Sequence, residues 1–135
     1  MSKLLPWLKS KTIMAPVNIE VLELAKVPEK PGVYIVLSDH TEYPYPWSEY
    51  KGHGKSQVYY IGQTRNLKRR LAAHQRNYKA TIYEYGQNST YWSRHEYAAN
   101  HGCNVVWLVS STPQDKEREI LQRFVNYYGA KPVAN

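Results

Sequence analysis

Apolar residues gather in three short, β-branched runs: Val33 to Leu37, Val58 to Ile61 and Val105 to Val109. Each is bounded by turn residues and too short for a buried helix, so each predicts a strand. Between and after them the spacing turns helical. Leu67, Leu71 and Ala72 form an apolar stripe behind Asn66, a good N-cap, and predict a helix over roughly 66–78. Tyr91 to Asn100 reads as a second helix closed by Gly102, within an otherwise ambiguous stretch. Thr112 or Asp115 opens a third, with Ile120, Leu121, Phe124 and Val125 on one face and Gly129 and Pro132 ending it. Val17 to Leu24 alternates weakly, and periodicity does not choose between edge strand and helix there. Asp39 to Gln57 holds Pro44, Pro46, Gly52 and Gly54 among aromatic residues, keeps no period, and predicts a long loop.

The order strand, strand, helix, helix, strand, helix predicts an α/β (α+β) fold: a small, three-stranded, mainly antiparallel sheet flanked by helices. Residues 1–30 form an N-terminal arm, and residues 31–135 a single domain with an insertion at 39–57. Leu4-Leu5-Pro6-Trp7-Leu8 is apolar but far too short to span a membrane, and reads as a docking arm or local turn.

Composition narrows the partners. With 42% hydrophobic and 21% charged residues the 135-residue chain is expected to be globular rather than disordered. A formal net charge of +7 favours a polyanion, nucleic acid before membrane. One cysteine, Cys103, excludes an intrachain disulfide and any cysteine zinc cluster, and a reducing, cytoplasmic location is the expectation. His95, His101 and Cys103 lie close in sequence but have no recognised ligand spacing. Tyrosine is abundant, 13 against one phenylalanine, so many rings can pack while keeping a hydroxyl for water or phosphate.

Candidate chemistry lies in the second strand and the helix after it. Arg70 and His74 are four residues apart, about 40° around a helix axis, and so share a face. The guanidinium suits charge developing on a phosphoryl group. Alternatively it is one more residue of a solvated basic helix with Arg65, Lys68 and Arg69, which are themselves candidate phosphate contacts. Tyr34 and Tyr60 come from adjacent strands and can bring two hydroxyls to one water, though strand tyrosines are ordinarily core residues. In the insertion, Lys51, His53 and Lys55 with Tyr43, Tyr45, Trp47 and Tyr50 can either touch DNA or form a lid packed on the domain itself.

Gly32-Val33-Tyr34, Tyr60-Ile61-Gly62, Arg70, His74, a later glutamate and a terminal asparagine together resemble the GIY-YIG nuclease superfamily, over about residues 28–135. Arg70 stands ten residues after Tyr60 and His74 four further on, as in the family pattern. The interval of 26 residues between Tyr34 and Tyr60 is long for compact members and is similar to restriction-type ones. The family's Leu-Ile pair, three and four residues after its glutamate, matches Ile120-Leu121 and selects Glu117 over Glu119. Pro132-Val133-Ala134-Asn135 resembles the closing Pro-x-x-Asn, after a longer gap than usual.

The resemblance implies a DNA endonuclease in which water attacks the phosphodiester. Tyr34 or Tyr60 would be the base, Arg70 the transition-state stabiliser, and His74 an assisting group. Glu117 would be the ligand of one divalent ion, Mg²⁺ or Mn²⁺. Lys55, Arg65, Lys68, Arg69 and Asn135 are then the expected contacts to double-stranded DNA. A homodimer or two sequential nicks would account for double-strand cutting. The rival expectation is a non-catalytic module that uses the same fold to bind nucleic acid or protein.

Overall fold

A computed structural model of the chain describes residues 5–8, 14–46, 54–85 and 94–135. Its elements are β1 (Val17–Asn18), β2 (Gly32–Leu37), β3 (Tyr43–Tyr45), β4 (Gly54–Ser56), β5 (Val58–Thr64), α1 (Leu67–Tyr85), α2 (Arg94–His101), β6 (Asn104–Val109) and α3 (Pro113–Tyr128). The three predicted strands form the sheet, and every pairing in it is antiparallel. Among the described residues that sheet has four strands rather than three, in the order β1-β6-β2-β5. The added strand is β1, whose pairing Val17↔Val105 and Asn18↔Asn104 is too short to leave a periodic signal. β2 lies in the interior, and all of its residues are buried, as its unbroken apolar run requires.

The insertion departs from the loop expectation at both ends. β3 and β4 pair antiparallel, with Tyr43 and Tyr45 turned inward and Pro44 outward. A three-residue alternation interrupted by proline is easily missed, but in this two-stranded pair β3 has one neighbouring strand only, and proline is tolerated on such an edge strand. Tyr45 packs edge-on against Phe124 at 5.1 Å, and its hydroxyl donates to the Val58 carbonyl at 3.0 Å. Tyr43 sits 6.2 Å from the Tyr59 ring and 5.4 Å from that of Tyr97. These two tyrosines are therefore packed on their own domain. Trp47, Tyr50, Lys51 and His53 lie outside the described residues.

The helices start and stop where local chemistry dictates. Asn66 Oδ1 accepts the Arg69 N–H at 3.1 Å and caps α1, which runs further than expected, to Tyr85. Gly129, at φ 82°, takes the left-handed conformation that ends α3. The N-terminal segment is part of the core: Trp7 meets Phe124 edge-on at 5.2 Å, and Leu5, Leu8, Ile19 and Leu22 are buried with it. No described helix is long and apolar enough to cross a membrane.

Candidate active site

Tyr34 stands at the middle of β2, with Gly62 of β5 opposite it on one side and Trp107 of β6 on the other. Gly62 is what lets the two motif tyrosines meet. A Cβ there would fall 2.7 Å from the Tyr34 Cζ and hydroxyl and 2.8 Å from Tyr60 Cε2. With only hydrogen in that space, the two rings lie 6.0 Å apart between centroids. His74, two turns into α1, brings Nε2 to 3.3 Å from the Tyr34 hydroxyl, the rings meeting edge-on at 5.2 Å. Tyr34 is 2% exposed while Tyr60 is half-buried, so the hydroxyls sit in different surroundings.

Two clefts meet at Gln63, the neighbour of Gly62, and neither is lined by Tyr34, Tyr60 or His74. The larger, about 680 Å³, lies between the start of α1 and the start of α3; Arg65, Arg69 and Arg70 line it with Asp115. The smaller, about 410 Å³, follows the exposed side of α3 and is lined by Glu117, Arg118 and Lys131. Gln63 and Gln114 belong to both walls. Thus the predicted arginine and glutamate face neighbouring clefts across a pair of side-chain amides. Lys55, on β4, and Lys68, on α1, line neither cleft.

The two candidate glutamates differ in surroundings. Glu119 is paired with Lys116 at 3.2 Å and Arg123 at 3.4 Å, and the Lys116 hydrogen bond first of all holds its carboxyl below the usual range. Glu117 has no salt bridge among the described residues; burial pushes its carboxyl up, against the smaller opposing pull of Arg118. The carboxylate that faces a cleft is therefore the one not already committed to cations. No group of three or more His, Cys, Asp or Glu gathers among the described residues. A lone carboxylate beside two glutamine amides suits an ion such as Mg²⁺, which keeps several waters and takes its remaining contacts from substrate phosphate. His101 meets the Thr41 hydroxyl at 3.1 Å and Cys103 is buried, its thiol pushed up to about 12 by desolvation, so neither offers a ligand site.

Asn135 is joined to the strand carrying Tyr60. Its Oδ1 accepts the Ile61 N–H at 2.9 Å and its Nδ2 donates to the Ile61 carbonyl at 2.8 Å. β5 is an outer strand of the sheet, and the asparagine amide satisfies both outward backbone groups as a neighbouring strand would. The Ala134 N–H extends the pairing to the Tyr59 carbonyl at 2.8 Å. Gln63, Gln114, Arg118 and Lys131 were not singled out from sequence. Only Gln63, next to Gly62, stands where the motif register points.

The family model of the GIY-YIG catalytic domain matches residues 30–123. No curated protein and no solved structure matches the chain.

Proposed function

The chain belongs to the GIY-YIG family, and from that premise we propose that it is a DNA endonuclease that hydrolyses phosphodiester bonds by water attack with one divalent ion, Mg²⁺ or Mn²⁺. The observation that carries this reading is the Tyr34–His74 contact of 3.3 Å beside the ring of Tyr60. A phenol with an ordinary pKa of about 10 lies roughly 4 kcal/mol from its anion at neutral pH. An imidazole in hydrogen-bond reach of the hydroxyl relieves that cost, because the phenolic proton can pass to Nε2 as the hydroxyl takes one from water. Tyr60, more exposed, would orient that water from the neighbouring strand.

Arg70 would meet the charge that grows on the phosphoryl oxygens. Its neighbours Arg65 and Arg69, on the same cleft, would hold the flanking backbone by phosphate contacts. Glu117 would hold the divalent ion, which when bound stabilises charge on the leaving oxygen. The chain supplies this carboxylate from the first half of α3, on the cleft that shares Gln63 with that of Arg70.

Arg70→Ala and Glu117→Ala should each abolish Mg²⁺-dependent nicking of supercoiled plasmid while the circular dichroism spectrum stays that of the folded chain. Undiminished nicking by both variants would sink the mechanism. If the parent protein cuts nothing with Mg²⁺ or Mn²⁺ over roughly pH 6 to 10, yet binds DNA in a salt-dependent way, the fold serves here as a binding module.

A further inference from the structure

The second cleft holds two cations that the chemistry above leaves unused. We propose that Arg118 and Lys131 form a separate phosphate station, which takes the backbone phosphate next to the scissile one on the Glu117 side. The inference rests on the endonuclease reading for the word scissile, but its physical basis is independent of cutting.

A carboxylate facing a DNA-binding cleft repels the backbone it must approach. Here Glu117 is accompanied on the same cleft by Arg118 and Lys131, two cations against one carboxylate, so the cleft as a whole attracts a polyanion. The larger cleft repeats the arrangement with three arginines against Asp115. Both clefts share Gln63 and Gln114, whose amides can donate to phosphate oxygens, so one strand can pass from one cleft to the other without crossing an apolar barrier. Arg118 is not committed elsewhere. Its one salt bridge among the described residues, to Asp115 at 3.4 Å, joins side chains 79% and 73% exposed, a contact that phosphate readily displaces. Lys131 has no salt bridge among the described residues and lies just past the Gly129 cap, at the end of the same helix. By contrast Lys116 and Arg123, also on α3, are both held by Glu119 and line neither cleft. Of these four cations, Lys116 and Arg123 are thus tied to a carboxylate outside the clefts, while Arg118 and Lys131 are turned to the cleft.

The test is fluorescence anisotropy of the full chain on a short DNA duplex, without divalent ions, over a series of salt concentrations. Each lost phosphate contact lowers the slope of log K against log salt by about 0.9. The double variant Arg118→Ala/Lys131→Ala should therefore lose about 1.8 from the slope. Lys116→Ala/Arg123→Ala, which removes the same number of cations from α3, should leave the slope unchanged. The charge-keeping variant Arg118→Lys/Lys131→Arg should retain the parent slope. An unchanged slope in the first variant, an equal loss in the second, or no binding by the parent protein would overturn the proposal. The outcomes separate from those of the nuclease reading. Plasmid cutting with an unchanged slope removes the station and leaves the nuclease, while a reduced slope without cutting in Mg²⁺ removes the nuclease and leaves the station.

Discussion

Gly62 has more influence on the candidate chemistry than its missing side chain suggests. Alanine there must push aside the Tyr34 phenol and the Tyr60 ring together, since its Cβ would come within 2.8 Å of both. Gly62→Ala is therefore expected to cost about 1–3 kcal/mol, as overpacking does, and to separate the Tyr34 hydroxyl from His74. A lower thermal midpoint accompanied by loss of nicking would show it. At Glu117 the direction of the pKa shift sets the pH dependence. Burial raises the carboxyl above its unfolded value, so the folded chain binds that proton more tightly than the unfolded one. This group's contribution to stability is thus greatest at low pH and is lost as pH rises through the folded pKa. The ion, however, needs the carboxylate. Ion and proton therefore compete for this carboxylate, so the acid limb of the cleavage rate should move to higher pH as Mg²⁺ is lowered, and an acid limb that does not move with Mg²⁺ concentration would remove Glu117 from the ligand role.

At the scale of elements, the strand carrying Tyr60 is held from both sides: by its antiparallel pairing with β2 and, on its outer side, by the tail. Asn135→Ala leaves the Ile61 N–H and carbonyl without their protein partners, a loss of about 1–3 kcal/mol where water replaces them poorly. Amide exchange at Ile61 should quicken in that variant, while the Arg69 amide, capped by Asn66, keeps its rate. Tyr45→Phe keeps the ring against Phe124 but loses the bond to Val58 and the one accepted from Val133 N–H at 3.2 Å. About 1 kcal/mol per hydrogen bond is expected to disappear from the unfolding free energy in denaturant titration. These elements also show where sequence pattern suffices. The runs at 33–37, 58–61 and 105–109 are legible because each is an unbroken apolar, β-branched run, buried throughout in β2 and at Val105 and Val106 in β6. β1 and the β3–β4 pair are not, because two or three residues cannot establish a period and their stability comes from strands and rings far along the chain.

For the whole molecule, charge and shape divide the work. The net charge of +7 predicts attraction to DNA without saying where the backbone lies. The fold distributes that charge unevenly: Lys116 and Arg123 are paired with Glu119, while Arg65, Arg69 and Arg70 share a cleft with the first turn of α3. The insertion changes meaning at this scale. Its described ends are packed beneath the aromatic cluster of Tyr59, Tyr97, Phe124 and Tyr128, so they act as part of the scaffold.

By itself, the sequence determined the family, the three principal strands and the three helices. It also determined the register that marks Tyr34, Tyr60, Arg70, His74 and Glu117, since motif spacing and local propensity are properties of neighbours along the chain. Only the tertiary structure decided that Gly62 is the space in which two tyrosines meet, that the Tyr34 hydroxyl meets His74, and that Asn135 is bonded to Ile61. It alone also made Gln63 and Gln114 common to the cleft of Arg70 and the cleft of Glu117. Each of these joins residues separated by tens of positions. Their contact depends on how strands register and helices pack, which no local pattern encodes.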